Sequence, residues 1–331
     1  MTKNYIEQQF AEIITTTFKS KLTKFIIALS GGVDSIVLAI IAHKWAIKNQ
    51  AKIIAVTIDH GLRENSAQEA LLVNKLMQKY QIEHEIIKWD RKQEINSNIE
   101  AKARKARYKL ITEYAKRSKI ETIMTAHHLD DQIENFFIRL SRGSGIDGLA
   151  AMAQFNKIEQ NISLFRPFLT LKKTQLLAYA TENQLTWFED QTNQDRKYLR
   201  NNIRYILQQI AEPEILEQRI ILATKHFSRA KDFLQKTTEQ EYANMVQRQR
   251  NYHLINLDKF KKLHAEIALR ILIKIFQERG GALYKPRFKK LEQLYQKIIA
   301  DKINKSLSFS YCLLMVKDGQ LLISKEKQTR S

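Results

Sequence analysis

Ser30-Gly31-Gly32-Val33-Asp34-Ser35 stands between the apolar run Phe25–Leu29 and a second, longer stretch, Ile36–Trp45. The first run is short, continuous and isoleucine-rich, which reads as a buried strand; the second reads as a helix. Two glycines at such a junction let backbone N–H groups approach an anion closely. The helix start adds roughly half a positive charge. Ser30 and Ser35 can donate hydroxyl hydrogen bonds to the same anion. Asp34 cannot meet a phosphate directly, so a carboxylate in this loop points to an intervening Mg²⁺. Ser30, Gly31, Gly32, Val33, Asp34 and Ser35 are therefore the candidate phosphate cradle, with Asp34 also the catalytic and indirect metal candidate. An ordinary tight turn capped by Ser or Asp would use some of the same residues. The string is neither a Walker A loop nor a G-x-G-x-x-G dinucleotide fingerprint.

Outward from this loop, short apolar runs alternate with amphipathic segments. Ile53–Ile58, Ile82–Trp89 and Glu121–Thr125 read as strands. Gln68–Tyr80, Asn98–Arg117 and Leu129–Ser141 read as helices. The alternation predicts βαβ units, an α/β fold with a doubly wound parallel sheet. Ligands in such folds lie beyond the C-terminal ends of the strands. Gly143–Gly148 ends the regular pattern. A strand at Ile162–Arg166 and helices at Lys172–Asn183 and Tyr198–Ile210 follow, and Pro213 marks a boundary. Beyond it the spacing predicts a long helix or a broken pair over Glu214–Arg250, then helices at Ala265–Glu278 and Arg287–Ile299. Asp318-Gly319 is a hairpin signal. The expected organisation is a catalytic domain over 1–212 and a basic, mostly helical C-terminal domain over 213–331, ending in a hairpin.

Three segments past strand ends carry further polar groups. Asp59-His60-Gly61-Leu62-Arg63 places Asp59 in ligand range, or simply caps a turn. On the helix from Asn98, Arg104 and Arg107 are i,i+3 and Glu100 and Arg104 are i,i+4, so one face presents all three. Such a face can clamp a pyrophosphate leaving group, and equally can be a solvated helix laced with ion pairs. His127-His128-Leu129-Asp130-Asp131-Gln132-Ile133-Glu134-Asn135 gathers Asp130, Asp131 and Glu134 at a helix start. Their mutual repulsion calls for a bound cation, metal or ammonium, although acids also favour a first helical turn for the helix dipole alone.

The SGGVDS string resembles the loop of the PP-loop ATP pyrophosphatases, which adenylate a substrate oxygen and release pyrophosphate. Taken with DHGLR, the N-x-E-A-x-A-R-x-x-R-Y helix, HHLDDQIEN and RGSGIDGL, it resembles the tRNA(Ile)-lysidine synthase family. Arg166-Pro167-Phe168, Glu189-Asp190-Gln191-Thr192-Asn193 with Asp195, and Arg200-Asn201-Asn202-Ile203-Arg204 extend the resemblance over roughly Phe25 to Arg204. The family usually has Thr where Asn135 stands, and many members carry a second small C-terminal domain that the short form lacks. The resemblance implies a reaction: ATP adenylates C2 of the wobble cytidine in the CAU anticodon of tRNA(Ile), and free lysine displaces AMP to give lysidine. It implies a cytoplasmic enzyme using ATP and Mg²⁺, and a homodimer. Arg104 and Arg107 would then offset phosphate charge. Asp131 and Glu134, with Asp130 or His128 as second choices, would hold or deprotonate the lysine amine. Arg200 and Arg204 would guide the tRNA.

Composition fits this assignment. The chain has 331 residues, 44% of them hydrophobic and 27% charged, enough for a sizeable core. The longest apolar run is Ile36–Ala42, far short of the ~20 residues of a spanning helix. One cysteine, Cys312, excludes a disulfide framework and any chemistry needing two thiols in this chain, which makes a tRNA-thiolating PP-loop enzyme the weaker alternative. A non-catalytic RNA-binding protein on the same fold is the other. Net charge is +20, of which +12 falls in residues 201–331, and such an excess suits a polyanionic partner. Lys285, Arg287, Lys289 and Lys290 are the candidate tRNA contacts there.

Overall fold

Alternation along the central strands sets two opposite faces of one sheet. Ile54, Ile26, Ile123 and Leu164 sit side by side across four strands, and their neighbours Ala55, Ile27, Met124 and Phe165 do the same one position later. The two rows join different hydrophobic clusters, one on each side of the sheet. Both faces are therefore buried, which is why these strands read as continuous apolar runs.

The structure, a computed structural model, describes residues 2–18, 20–61, 66–90, 99–188, 199–210, 212–281, 286–303 and 305–326. Two compact units divide the chain, Met1–Lys225 and His226–Ser331. The first contains α1 (Thr2–Thr17), β1 (Lys24–Ala28), α2 (Val33–Asn49), β2 (Lys52–Asp59), α3 (Ser66–Lys79), β3 (Glu83–Lys88), α4 (Ile99–Arg117), β4 (Thr122–Met124), α5 (Leu129–Ser141), α6 (Ile146–Leu149), β5 (Phe155–Glu159), β6 (Ile162–Phe165), α7 (Lys173–Glu182) and α8 (Leu199–Gln208). The boundary falls within α9 (Pro213–Met245). Among the described residues, no helix is long and apolar enough to cross a membrane.

The first unit's sheet has the order β3-β2-β1-β4-β6-β5, parallel except for β5, which pairs antiparallel with β6. Residues of α1, α2, α3 and α7 cover one face, and Ile111 and Ala115 of α4 cover the other. Strand order reverses between β1 and β4, so a crevice opens past their C-terminal ends. The amphipathic α1 lies outside the elements expected from the sequence. Glu7 ties it down, accepting from Lys44 Nζ at 2.8 Å and from the Tyr179 hydroxyl at 2.7 Å.

In the second unit, β7 (Val246–Arg248), β8 (Tyr252–Asn256), α10 (Leu257–Lys261), α11 (Ala265–Gly280), α12 (Phe288–Ile299), β9 (Leu307–Phe309), β10 (Cys312–Lys317) and β11 (Gln320–Lys325) follow α9. The strands form a five-stranded antiparallel sheet, β7-β8-β11-β10-β9, packed against α11 and α12 through one core. The sequence announces only the β10–β11 pair, whose turn residues Asp318 and Gly319 both have positive φ. β7 and β9 are three residues each, too short to show alternation. The expected helix over Glu214–Arg250 ends at Met245, and Val246–Arg248 pair with β8 instead.

Gly31 follows β1 with φ +85°, and a Cβ there would stand 2.8 Å from Val73 Cγ2. Gly31→Ala should therefore lower stability by about 1–3 kcal/mol, read from urea unfolding, through backbone strain and the contact with α3. His84 of β3 is held between Thr57 Oγ1 at 2.8 Å and Asn74 Oδ1 at 2.9 Å. Burial pushes its pKa from 6.5 down to about 4. The unfolded chain thus binds a proton that the folded chain refuses between those values, so stability is full above about pH 6.5 and declines as pH falls toward 4. The drop in urea midpoint between pH 7 and pH 5 should be smaller in His84→Gln than in the unaltered chain; equal drops would refute this.

Candidate active site

The loop after β1 is bound to itself. Ser35 Oγ accepts from the Ser30 N–H at 3.2 Å and from the Ser30 hydroxyl at 3.1 Å, and donates to the Gly32 carbonyl at 2.9 Å. Gly32 is the N-cap of α2, extended at φ −71°, and Val33 is the first helical residue. Phe188 N–H donates to the Gly31 carbonyl at 3.0 Å, which pins the loop from a distant part of the chain. The N-terminus of a 17-residue helix thus stands directly after β1, at the C-terminal end of the sheet. Asp34, in the first turn, has one oxygen, Oδ1, buried without a hydrogen-bond partner.

The end of β4 comes to meet that loop. His128, the N-cap of α5, is buried, and its Nε2 lies 3.6 Å from Asp34 Oδ2 and 3.5 Å from Asp131 Oδ2. Its Nδ1 lies 3.2 Å from Asp130 Oδ2. Burial alone would discharge the ring. Asp130 and Asp34 against it, with the charge of Asp131, outweigh burial and lift its pKa to about 9. At neutral pH it is an imidazolium surrounded by three carboxylates. The adjacent His127 has the opposite fate. Burial drives its pKa down to about 3, and it is neutral with Nδ1 at 2.8 Å from Thr125 Oγ1.

The three carboxylates expected to act together divide. Asp130 turns to α7, where its Oδ2 accepts from the Lys173 N–H at 2.8 Å. Although burial opposes it, the neighbouring His128 and that N–H hold its pKa at about 2. Asp131 caps α5 by accepting from the His128 N–H at 3.0 Å, and also accepts from Arg200 Nη2. Glu134, buried, accepts from Arg200 Nε at 2.5 Å and from Arg204 Nε at 2.5 Å and Nη2 at 3.2 Å. Arg200 and Arg204 are i,i+4 on α8, so one helix face presents both guanidinium forks to one helix start. The sequence offers these arginines as tRNA contacts; in the structure they donate to Asp131 and Glu134 of α5.

Other strand ends complete the crevice. Asp59, at the end of β2, is buried and accepts from the Gly61 N–H at 2.9 Å. His60 beside it is held near pKa 4 by burial, with the charge of Arg107 acting in the same direction. Arg104, one turn earlier, lies over the Tyr108 ring at 5.4 Å from its centre. Arg166, at the end of β6, is buried and donates from Nη1 to the Ala153 carbonyl at 2.7 Å. Arg166 and Tyr108 stand within sequence motifs, and local spacing assigns neither a role. Arg287, Lys289 and Lys290 are exposed at the start of α12 in the second unit. Lys285, Glu100 and the segment 189–198, which holds the Glu189–Asp195 motif, lie outside the residues whose side chains are described.

Comparison with known proteins agrees with this arrangement. The PP-loop domain family matches residues 2–210. The tRNA(Ile)-lysidine synthase of Wolbachia pipientis wMel is 38% identical over 303 residues, covering 91% of this chain and 70% of that protein. That of Rickettsia akari (strain Hartford) is 31% identical over 313 residues, covering 92% and 70%. That of Orientia tsutsugamushi (strain Boryong) is 38% identical over 216 residues, covering 63% and 48%. Among solved structures, the U34-tRNA thiolase NcsA from Methanococcus maripaludis with its [4Fe-4S] cluster aligns with a TM-score of 0.59 at 16% identity, covering 69% of this chain and 79% of that one. This last likeness is one of fold. A glycine-rich strand–helix loop closing on a His–Asp helix start, within a chain so matched to named relatives, makes this protein a PP-loop enzyme of the tRNA(Ile)-lysidine synthase family.

Proposed function

We propose that the chain joins free lysine to C2 of the wobble cytidine of tRNA(Ile) bearing a CAU anticodon. ATP first adenylates the C2 oxygen and releases pyrophosphate; the lysine ε-amine then attacks C2 and AMP departs. The observation that carries this reading is the cluster of carboxylates at the start of α5, beside the loop after β1: Asp34, Asp130 and Asp131 converge on His128, and Glu134 is buried one turn further on. Asp34 keeps one buried oxygen without a partner. Such a cluster suits a cation, and both ATP-bound Mg²⁺ and a lysine ammonium are of that kind.

The residues fit a magnesium ion. Asp34 Oδ1 is buried and unpartnered, and Mg²⁺ takes one or two carboxylates together with substrate phosphates. Bound with ATP, the ion would offset phosphate charge. Everything else falls to side chains of this chain. The Ser30–Ser35 loop would receive phosphate oxygens through N–H and hydroxyl donors. Arg104 and Arg107 would balance charge on the phosphate in transfer, and Asp59 would bind the nucleoside. His128 would keep Asp34 and α5 together. Glu134 and Asp131 would take the lysine ammonium by sharing carboxylate oxygens with Arg200 and Arg204. The ammonium has a reference pKa near 10.4 and must lose a proton before it attacks, so a carboxylate at its head is chemically required. The flipped cytidine comes from an unpaired anticodon loop, where unstacking is cheap. Exposed Arg287, Lys289 and Lys290, with Lys285, would hold tRNA phosphates. The proposed domain limits remain 1–212 for catalysis and 213–331 for tRNA, with a homodimer in the cytoplasm as the working form.

The deciding experiment is incorporation of labelled lysine into a CAU-anticodon tRNA(Ile) transcript with ATP and Mg²⁺. The unaltered chain should incorporate label, and Asp34→Asn should lose about 100-fold or more of the rate. Pyrophosphate release without lysine incorporation would point instead to another PP-loop tRNA modification, and neither signal to an RNA-binding protein. Glu134→Gln keeps the shape and removes the charge. It should raise the KM for lysine roughly 10- to 100-fold while the KM for ATP stays within about twofold; equal rises in both would remove Glu134 from the lysine site.

A further inference from the structure

Side chains alternate strictly along the sheet of the second unit. Ile255, Leu321 and Ile323 enter the core with α11. Gln247, Leu254, Asn256 and Gln320 take the opposite face, where Gln247 pairs with Leu254 and Asn256 with Gln320. Together with Asn244 of the last turn of α9 and Lys259 of α10, they line a cavity of about 140 Å³. That is several times the ~30 Å³ of one water and well under the roughly 300–1,000 Å³ of a drug-sized pocket, so one small ring system fits. Asn256 Oδ1 accepts from the Lys259 N–H at 3.0 Å, which leaves its Nδ2 to donate. Among the described residues, none bonds to the side chains of Asn244, Gln247 or Gln320, and no carboxylate, imidazole or thiol lines the cavity. The cavity also lies at the C-terminal end of a 33-residue helix, where unpaired carbonyls carry about half a negative charge. That pole disfavours an anion. The lining instead suits a flat neutral group, with donors and acceptors on its edge for the carboxamides and an apolar face for Leu254. Lys259, and Lys317 opposite Gln320, stand at the rim for a phosphate attached to that group. Residues 226–331 hold 22 lysines and arginines against 10 acids, a balance that suits a polyanion better than a free nucleoside.

We propose that this cavity receives one unpaired nucleobase of the RNA substrate, met on its edge by Gln247, Asn256 and Gln320 and laid against Leu254, with Lys259 and Lys317 at the adjoining phosphates. The proposal rests on the tRNA reading above for the source of the base. It adds a site for a base, separate from the phosphate contacts assigned to α12. A paired base has its edge occupied and its faces stacked, so only a loop or end nucleotide can enter. The strands β8 and β11 hold two of the three carboxamides in register, which fixes their spacing without help from the ligand.

The test is the affinity of the full chain for a CAU-anticodon tRNA(Ile) transcript over a series of salt concentrations, with each variant's melting midpoint recorded. Gln247→Leu and Gln320→Leu keep most of the side-chain bulk and remove the carboxamide. Each should weaken binding about 3- to 10-fold. The slope of log K against log[salt] should stay the same in both, because a base contact releases no counterion. Lys259→Gln should flatten that slope by about one. A fully paired RNA duplex should bind the two glutamine variants and the unaltered chain alike. Unchanged transcript affinity in both glutamine variants would overturn the proposal, as would an equal loss for the duplex. A flattened slope in either glutamine variant, or an unaltered one in Lys259→Gln, would also overturn it. Adenosine, cytidine, guanosine or uridine bound through both glutamines, with transcript affinity indifferent to them, would assign the cavity to a free nucleoside instead. If Gln247→Leu does not fold, Gln320→Leu still decides. A chain that binds the transcript through these residues yet adds no lysine keeps the cavity and loses the proposed reaction. One that adds lysine with the same KM for transcript in both variants keeps the reaction and loses the cavity.

Discussion

His128 is the residue at which two halves of the sheet are joined electrically. It caps α5 at the end of β4, and its ring stands between Asp34 of the loop after β1 and the acids of its own helix. A buried imidazolium is costly unless surrounded by negative charge, and three carboxylates converge on this one. In return, those carboxylates can stay ionised at close quarters. The loop after β1, the capped helix and the acidic cluster therefore depend on one another. The Asp130 link to the Lys173 N–H carries the same constraint one element further, to the start of α7.

Around that bridge the crevice is divided by charge. On the α5–α8 side, carboxylates and arginines nearly balance, and Glu134 is the shared acceptor of two guanidinium forks. On the α4 side, Arg104, Arg107 and Arg166 stand beside histidines that burial keeps neutral. The parallel sheet brings the two environments together, because its strand ends are neighbours across the order reversal between β1 and β4.

The second unit rests on different means. A small antiparallel sheet and two helices share a core of Ile255, Phe260, Ile271, Leu272, Phe276, Leu294, Leu314 and Ile323 among others. Beside it, buried His253 is bonded through Nδ1 to Arg279 Nε at 2.6 Å and faces Glu278 at 3.1 Å, while Arg279 also donates to the Arg250 and Tyr252 carbonyls. That network ties α11 to the β7–β8 turn. It accounts for how so short a strand as β7 is kept in place.

Much of the first unit was legible in its residues. The strands β1, β2 and β4 and helices α2, α4 and α5 follow from local periodicity, and the Ser30–Ser35 loop follows from glycines and hydroxyls at a strand–helix junction, all short-range properties. Less local features were not. α1 gains its partners from across the chain, β5 is mostly exposed and carries no apolar alternation, and β7 and β9 are too short to carry a pattern. Asp130, Asp131 and Glu134 look equivalent on a helical wheel, yet one caps α7, one caps α5 and one is buried between Arg200 and Arg204. Nothing in the spacing could distinguish His127 from His128, yet burial lowers the pKa of the first and the surrounding carboxylates raise that of the second. The sequence by itself determined which residue types stand at the strand ends, because periodicity and turn chemistry act over a few residues. Only the tertiary structure decided which of them are charged and which are paired, because Coulomb energy and desolvation depend on distances across the fold that no local pattern encodes.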